Sequence, residues 1–199
     1  MAKKLLIIGA TGSIGRVLRP YLLENSDDEL TLFTRNTSSI RDVDSARERV
    51  VAGDVYDTAS LREVVSGQDA VFAALTGDLG RMAQCIVDAM DAEGVKRLIF
   101  ITSMGIYNEI PAWDAAGNLE NNPVLQTYRE AADVIEASDL DYTIIRPGWY
   151  YNGDVDYRVT RKGEPFAAHD VSRQSIADLA MKLIADDTLY ARDSVGISD

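Results

Sequence analysis

The chain has 199 residues, of which 46% are hydrophobic and 26% are charged, and its formal net charge is −12 at pH 7. A chain of this length buries about 70% of its unfolded surface as one domain. The strong negative charge argues against nucleic acid or an anionic membrane as the main partner. One cysteine, Cys85, excludes an intrachain disulfide and favours a cytoplasmic location, and no signal peptide or membrane-spanning run is expected.

The first predicted strand, Leu5–Ile8, ends in the glycine-rich segment GATGSIG of residues 9–15, and a helix is predicted over Ile14–Glu24. Glycines spaced three apart allow a sharp turn and a close approach of backbone to ligand. The N–H groups of the first helical turn, with the helix dipole behind them, then favour an anion. The segment therefore predicts a diphosphate site at the start of this helix.

Strands and helices alternate through the rest of the chain. Strands are predicted at 30–34, 49–52, 70–75, 98–102 and 141–146, and helices after Asp57, over 80–93, from Asn122-Pro123 and after Ser172. A polar loop outside the core is predicted from Gly105 to Asn122. The alternation predicts an α/β fold, with a doubly wound, mainly parallel sheet and helices on both faces. Ligands of such sheets bind beyond the carboxyl ends of the strands, beside the first strand.

Several segments occur in the order typical of atypical short-chain dehydrogenases/reductases: GATGSIG at 9–15, GDV at 53–55, GQDAV at 67–71, TS at 102–103 and DYTIIRPG at 141–148. The chain resembles the small NAD(P)H-binding members of that group, which include flavin/biliverdin-IXβ reductases and NmrA-like sensors. The resemblance covers about residues 3–185. It implies a single Rossmann-type domain that holds NAD(P)H, with the nicotinamide near Ser103.

The end of the second predicted strand indicates a preference for NADP(H) over NAD(H). An NAD enzyme usually places an acidic residue there to bond the ribose 2′-hydroxyl, whereas residues 33–36 read Phe-Thr-Arg-Asn. Arg35 can donate to a 2′-phosphate and Arg16 can reach the same group, unless both are solvated surface residues. Asp54 is expected to accept from the adenine amino group beside Val55, unless it only orders its turn. The predicted cofactor-binding residues are Gly9, Thr11, Gly12, Ser13, Ile14, Gly15, Arg16, Thr34, Arg35, Asp54, Val55, Ala73, Ala74, Leu75, Thr102, Pro147 and Gly148.

The resemblance assigns catalysis to Ser103 and Tyr128. Typical short-chain reductases use a serine, a tyrosine and a lysine four residues after the tyrosine, and the lysine lowers the phenol pKa. Here Ala132 stands four residues after Tyr128, so its phenol lacks that partner. Tyr128 is therefore either catalytic or a packing residue of its helix, and Tyr107 is a candidate for the pocket wall.

Residues 149–199 are expected to form a short substrate cap with one helix. The aromatic residues after the sixth strand, Trp149, Tyr150, Tyr151 and Tyr157, either roof a planar substrate or pack as a lid. His169 is the one histidine, so no metal site is predicted.

These features predict an NADP(H)-binding oxidoreductase that passes hydride to a small planar acceptor such as a flavin or quinone. A non-catalytic NADP(H)-binding sensor or scaffold, or an epimerase/dehydratase-like activity, is the alternative. The expected partners are the dinucleotide and a small-molecule acceptor, not nucleic acid or membrane. The chain is expected to be a monomer or a small homo-oligomer.

Overall fold

Strands and helices alternate along the computed structural model, which describes residues 2–199. The strands are β1 (Lys4–Ile8), β2 (Glu29–Thr34), β3 (Glu48–Ala52), β4 (Ala70–Ala73), β5 (Arg97–Ile101), β6 (Asp141–Pro147), β7 (Trp149–Tyr151), β8 (Arg158–Arg161), β9 (Asp170–Ser172) and β10 (Asp193–Ser198). The helices are α1 (Gly15–Asn25), α2 (Thr58–Val65), α3 (Leu79–Glu93), α4 (Gln126–Ala137) and α5 (Arg173–Ala185).

The central sheet has eight strands in the order β3-β2-β1-β4-β5-β6-β10-β8. All its pairs are parallel except the pair of β10 with the edge strand β8. Helices α2, α3 and α4 cover one face, and helices α1 and α5 cover the other, so the sheet is buried between two apolar clusters. The predicted α/β class, with a single doubly wound domain, is confirmed.

The helix ends follow the predicted capping residues. The Asp57 side chain accepts from the Ser60 N–H at 3.2 Å, and Ser172 accepts from the Ser175 N–H at 3.0 Å. Gly94 ends α3 in the left-handed conformation, with φ at 72°. Each of these caps satisfies backbone groups that a helix end leaves without a partner.

The segment after Gly148 contains more than the single predicted helix. It adds β7 and β9, which pair with each other, and β10 and β8, which extend the main sheet. The register of β10 places Ser194 opposite Ile144 of β6. The predicted helix is present as α5, and the four strands are additional to it. The sequence of β10, DSVGIS, contains two serines and a glycine that weaken its strand signal, and burial against β6 overrides local propensity.

The loop from Gly105 to Asn122 was also expected to lie outside the core, and this is wrong in part. Ile106 and Ile110 are buried, and so is Asn118. The Asn118 side chain accepts from the Ile110 N–H at 2.9 Å and donates to its carbonyl at 2.8 Å. A buried amide that satisfies its neighbour's backbone in this way anchors a polar segment inside the protein.

Smaller differences concern element ends. The fourth strand stops at Ala73, so Ala74 and Leu75 lie beyond it. The residues at Asn122-Pro123 form a short 3₁₀ turn, Pro123–Leu125, and α4 begins only at Gln126.

Candidate functional site

A cavity of about 260 Å³ lies at the carboxyl ends of β1 to β5. Strand order reverses beside β1, which has β2 on one side and β4 on the other, so the cavity occupies the switch point of the sheet. Thirteen of the predicted site residues line it: Gly9, Thr11, Gly12, Ser13, Ile14, Thr34, Arg35, Asp54, Val55, Ala74, Leu75, Thr102 and Tyr128. Ile8, Phe33, Gly53, Thr76, Met82, Ile101 and Tyr150 complete the wall.

The glycines of the first turn have different roles. Gly9 has φ at +89°, and a Cβ there would collide with the Ala74 carbonyl; a Cβ on Gly15 would collide with the Gly9 carbonyl. Gly12 has no positive φ, and the nearest atom to its Cβ position is the Gly9 oxygen at 3.2 Å. Gly9 and Gly15 therefore shape the turn, whereas Gly12 leaves backbone open to the cavity.

The end of β2 supplies a cation at the cavity wall. The hydroxyls of Thr34 and Thr11 lie 2.9 Å apart, and the exposed Arg35 follows Thr34 directly. No carboxylate among residues 2–199 pairs with Arg35. Arg16 is not in this wall: it lines a neighbouring cavity with Ser39 and Arg41, and Thr11 lines both.

Asp54 orders its turn and also faces the cavity. Its carboxylate accepts from the Tyr56 N–H at 3.0 Å, which orders the turn after β3, and it also lines the cavity. Val55 beside it is buried. The ring of Tyr56 lies under the Arg81 guanidinium, 4.7 Å from ring centre to Cζ. The part of the cavity after β3 therefore combines a hydrogen-bond acceptor, the Asp54 carboxylate, with the apolar surface of Val55.

The two predicted catalytic residues differ in position. Tyr128, on α4, lines the cavity. Ser103 is half-buried, and its hydroxyl donates to the Met104 carbonyl at 3.1 Å. It follows Thr102, which lines the wall and donates to the Ile145 carbonyl at 3.3 Å.

Tyr150, one of the aromatic residues after the sixth predicted strand, is a wall residue of the cavity. The Tyr150 residue is 37% exposed, but desolvation of its phenol against the cavity wall raises the pKa to about 12. The neighbouring Tyr128 adds a smaller contribution, and Arg173 opposes this shift. Tyr150 therefore stays protonated near neutral pH. The signal for it was the run of aromatic residues directly after β6.

Ala73, Pro147 and Gly148 do not line the cavity but position the backbone around it. Ala73 is buried at the end of β4. The Pro147 carbonyl accepts from the Met104 N–H at 3.1 Å, and Gly148 donates to the Ile197 carbonyl at 3.0 Å. These bonds fix the segments that follow β5 and β6.

Two kinds of feature are absent from residues 2–199. No group of three or more His, Cys, Asp or Glu side chains is arranged to hold a metal ion. No helix in the same part of the chain combines the length and apolar character needed to cross a membrane.

Comparison with known proteins shows which family the chain resembles. The sequence profile of the NAD(P)H-binding family matches residues 9–187. The chain is 30% identical to the uncharacterized sugar epimerase YhfK of Bacillus subtilis, over 92% of this chain and 86% of that protein. It spans about three fifths of the length of two other curated relatives, one of them an NAD(P)H azoreductase from Xenophilus azovorans, which is 25% identical over 88% of this chain.

Two solved structures share the fold along the whole chain. A Rossmann-fold NAD(P)-binding family protein from Shigella flexneri is 37% identical, with a TM-score of 0.87 over 100% of this chain and 94% of that one. A short-chain dehydrogenase/reductase from Veillonella parvula in complex with NADP is 28% identical, with a TM-score of 0.92 over 100% of this chain and 95% of that one.

Proposed function

The chain belongs to the NAD(P)H-binding family, and we propose that it is a reductase that prefers NADPH and passes hydride to a small planar acceptor such as a flavin or quinone. The observation that carries the cofactor preference is Arg35 at the cavity wall, directly after β2, with no acidic residue beside it. An acid at this place would bond the ribose 2′-hydroxyl and repel a 2′-phosphate. A cytoplasmic location, which the single cysteine favours, belongs to the same proposal.

Each part of the dinucleotide is proposed to contact a different set of wall residues. Gly12, Ser13 and Ile14 line the cavity directly before α1. The Gly12 N–H donates to the Gly9 carbonyl at 2.9 Å, whereas the N–H groups of Ser13 and Ile14 have no acceptor among residues 2–199 and suit a diphosphate. Arg35 suits the 2′-phosphate, and a charge-assisted hydrogen bond of this kind is worth about 1.5–3 kcal/mol. Asp54 and Val55 suit the adenine.

The acceptor side of the cavity is aromatic. Tyr128 and Tyr150 line the wall, and Trp149 beside Tyr150 is 65% exposed and stacks on His169 with ring centres 5.9 Å apart. Flat aromatic surface binds planar rings by stacking. The relative named as an NAD(P)H azoreductase supports a reductase of planar, electron-poor compounds.

The protein groups need to do little chemistry in this reaction. When bound, the dinucleotide supplies the hydride. Ser103 is proposed to orient the acceptor or a water that provides the proton, and Tyr128 to hold the acceptor against the wall. Ala132 is buried and carries no titratable group, so no lysine tunes the Tyr128 phenol.

Steady-state oxidation of NADPH with FMN, a small quinone or an azo dye tests this reaction. Ser103→Ala is expected to lower kcat more than Tyr128→Phe, because the phenol lacks the lysine that would make it an efficient acid. A large loss in Tyr128→Phe alone contradicts these roles.

The absent lysine also favours a second candidate, a sensor or scaffold that binds NADP(H) without turnover. The same assay separates the two. Tight NADPH binding with no oxidation by any flavin, quinone, azo or simple carbonyl acceptor would identify the sensor.

A further inference from the structure

Arg173, the first residue of α5, reaches from the segment after β9 to the glycine-rich turn after β1. Its Nε donates to the Ser13 hydroxyl at 2.7 Å, and its Nη1 donates to the Asn152 side-chain oxygen at 3.0 Å. The guanidinium carbon also lies 5.5 Å from the centre of the Tyr150 ring. Segments far apart in sequence therefore meet at one side chain beside the cavity.

The local electrostatics do not explain a cation at this place. Arg173 occupies the first turn of α5, where the helix dipole favours a negative charge and disfavours a positive one. The chain has 32 acidic and 20 basic residues, yet no carboxylate among residues 2–199 pairs with Arg173. Its Nη2 has no acceptor in that part of the chain. The guanidinium retains free donors and an unbalanced charge.

From this arrangement we infer that Arg173 binds the diphosphate of the dinucleotide, together with the backbone at the start of α1. Ser13 lines the cavity directly before α1, so a guanidinium within hydrogen-bond distance of its hydroxyl lies beside the expected position of the diphosphate. The planar fork of arginine matches phosphate oxygens and donates two bonds at once. This inference rests on the dinucleotide binding of the proposed function.

The other contacts of Arg173 link the proposed diphosphate contact to the aromatic wall of the cavity. Asn152 holds the guanidinium from one side and Tyr150 lies along its face, so the residue that binds the diphosphate also supports the aromatic wall. Arg173 thereby sets the position of Tyr150 relative to the bound dinucleotide.

Dissociation constants of NADPH and NADH for the wild type and Arg173→Ala, measured by titration calorimetry, test the inference. Both dinucleotides carry the diphosphate, so Arg173→Ala is expected to raise the two dissociation constants by the same factor, about tenfold or more. Adenosine 2′-phosphate, which has no diphosphate, is expected to compete equally well for both proteins. Arg173→Lys should retain part of the affinity because it keeps the charge but loses the fork.

The control is Arg158→Ala, which removes an exposed arginine of β8 away from the cavity and is expected to leave both constants unchanged. An unchanged melting temperature of the Arg173 variants excludes a loss through unfolding. Wild-type affinity in Arg173→Ala overturns this inference alone, and a loss confined to NADPH overturns it in favour of a 2′-phosphate contact. A wild-type protein that binds neither dinucleotide overturns the proposed function as well.

Discussion

Single residues around the cavity divide into those that shape backbone and those that face the ligand. Gly9 and Gly15 belong to the first group, because side chains there would collide with the protein itself. Gly12 and Arg35 belong to the second. Gly12 has an ordinary φ and lines the cavity, although its Cβ position is only 3.2 Å from the Gly9 oxygen, and Arg35 is exposed without a carboxylate partner in residues 2–199.

The glycines provide the first prediction. Gly12→Ala is expected to fold normally and to lose NADPH binding, because its methyl group would enter the space of the diphosphate. Gly15→Ala is expected to lower the free energy of unfolding by about 1–3 kcal/mol, because its methyl group overlaps the Gly9 carbonyl. Urea unfolding and a thermal-shift titration with NADPH measure the two effects. Full NADPH binding by Gly12→Ala would mean that the dinucleotide binds elsewhere.

The second prediction concerns Arg35. Arg35→Asp is expected to reverse the cofactor preference, because it removes a donor to the 2′-phosphate and adds a carboxylate that can bond the ribose 2′-hydroxyl. Arg158→Asp makes the same change of charge at an exposed position of β8 and should leave the preference intact. The ratio of NADPH to NADH dissociation constants is the measurement. An unchanged ratio in Arg35→Asp assigns the 2′-phosphate to other residues.

At the residue scale, the sequence located those site members that follow a strand or belong to a recognised segment. It did not find Arg173, because the contact with Ser13 joins residues 160 positions apart and no local pattern records it. It missed Met82 for a similar reason: Met82 is an apolar residue of α3 whose spacing indicates only core. Side chains brought in by tertiary structure lack a sequence signal.

At the scale of elements, the loop between β5 and α4 depends on one buried ion pair. Glu109 pairs with Arg146, and both side chains are almost fully buried. The Glu109 carboxylate also accepts from the N–H groups of Gly105 at 3.0 Å and Tyr107 at 2.8 Å. The pair therefore connects β6 to the start of the loop, next to Ser103.

The third prediction follows from this pair. Glu109→Ala is expected to lower the free energy of unfolding by about 3–5 kcal/mol, because it leaves the Arg146 charge buried without its partner. Asp133→Ala breaks the exposed pair with Arg129 on α4 and should cost less than about 1 kcal/mol. Chemical denaturation of both variants gives the comparison. Equal losses of unfolding free energy in the two variants would show that the buried Glu109–Arg146 pair costs no more to break than the exposed pair.

The elements that sequence patterns predicted best have strong periodicity and a clear end signal, such as α3, which ends at Gly94. The strands after Gly148 were missed because they are short and β7 and β8 are partly exposed. Their pairing with distant partners, Ser194 with Ile144 for example, is a property of the assembled sheet.

At the scale of the whole molecule, the net charge is negative, whereas two arginines without carboxylate partners in the described part of the chain flank the cavity. The net charge of −12 repels an anionic ligand at long range. Around the cavity, however, Arg35 and Arg173 are free of carboxylate partners in residues 2–199, whereas elsewhere cations such as Arg62 and Lys96 are paired with acids. The anion is therefore expected to be captured by local donors.

The most direct test of the central claim is the affinity of the wild-type protein for NADPH and for NADH, measured by calorimetry in one buffer. The contacts proposed for Arg35 predict a dissociation constant at least about tenfold lower for NADPH. Equal constants, or tighter binding of NADH, would contradict the assignment of the 2′-phosphate site at the end of β2.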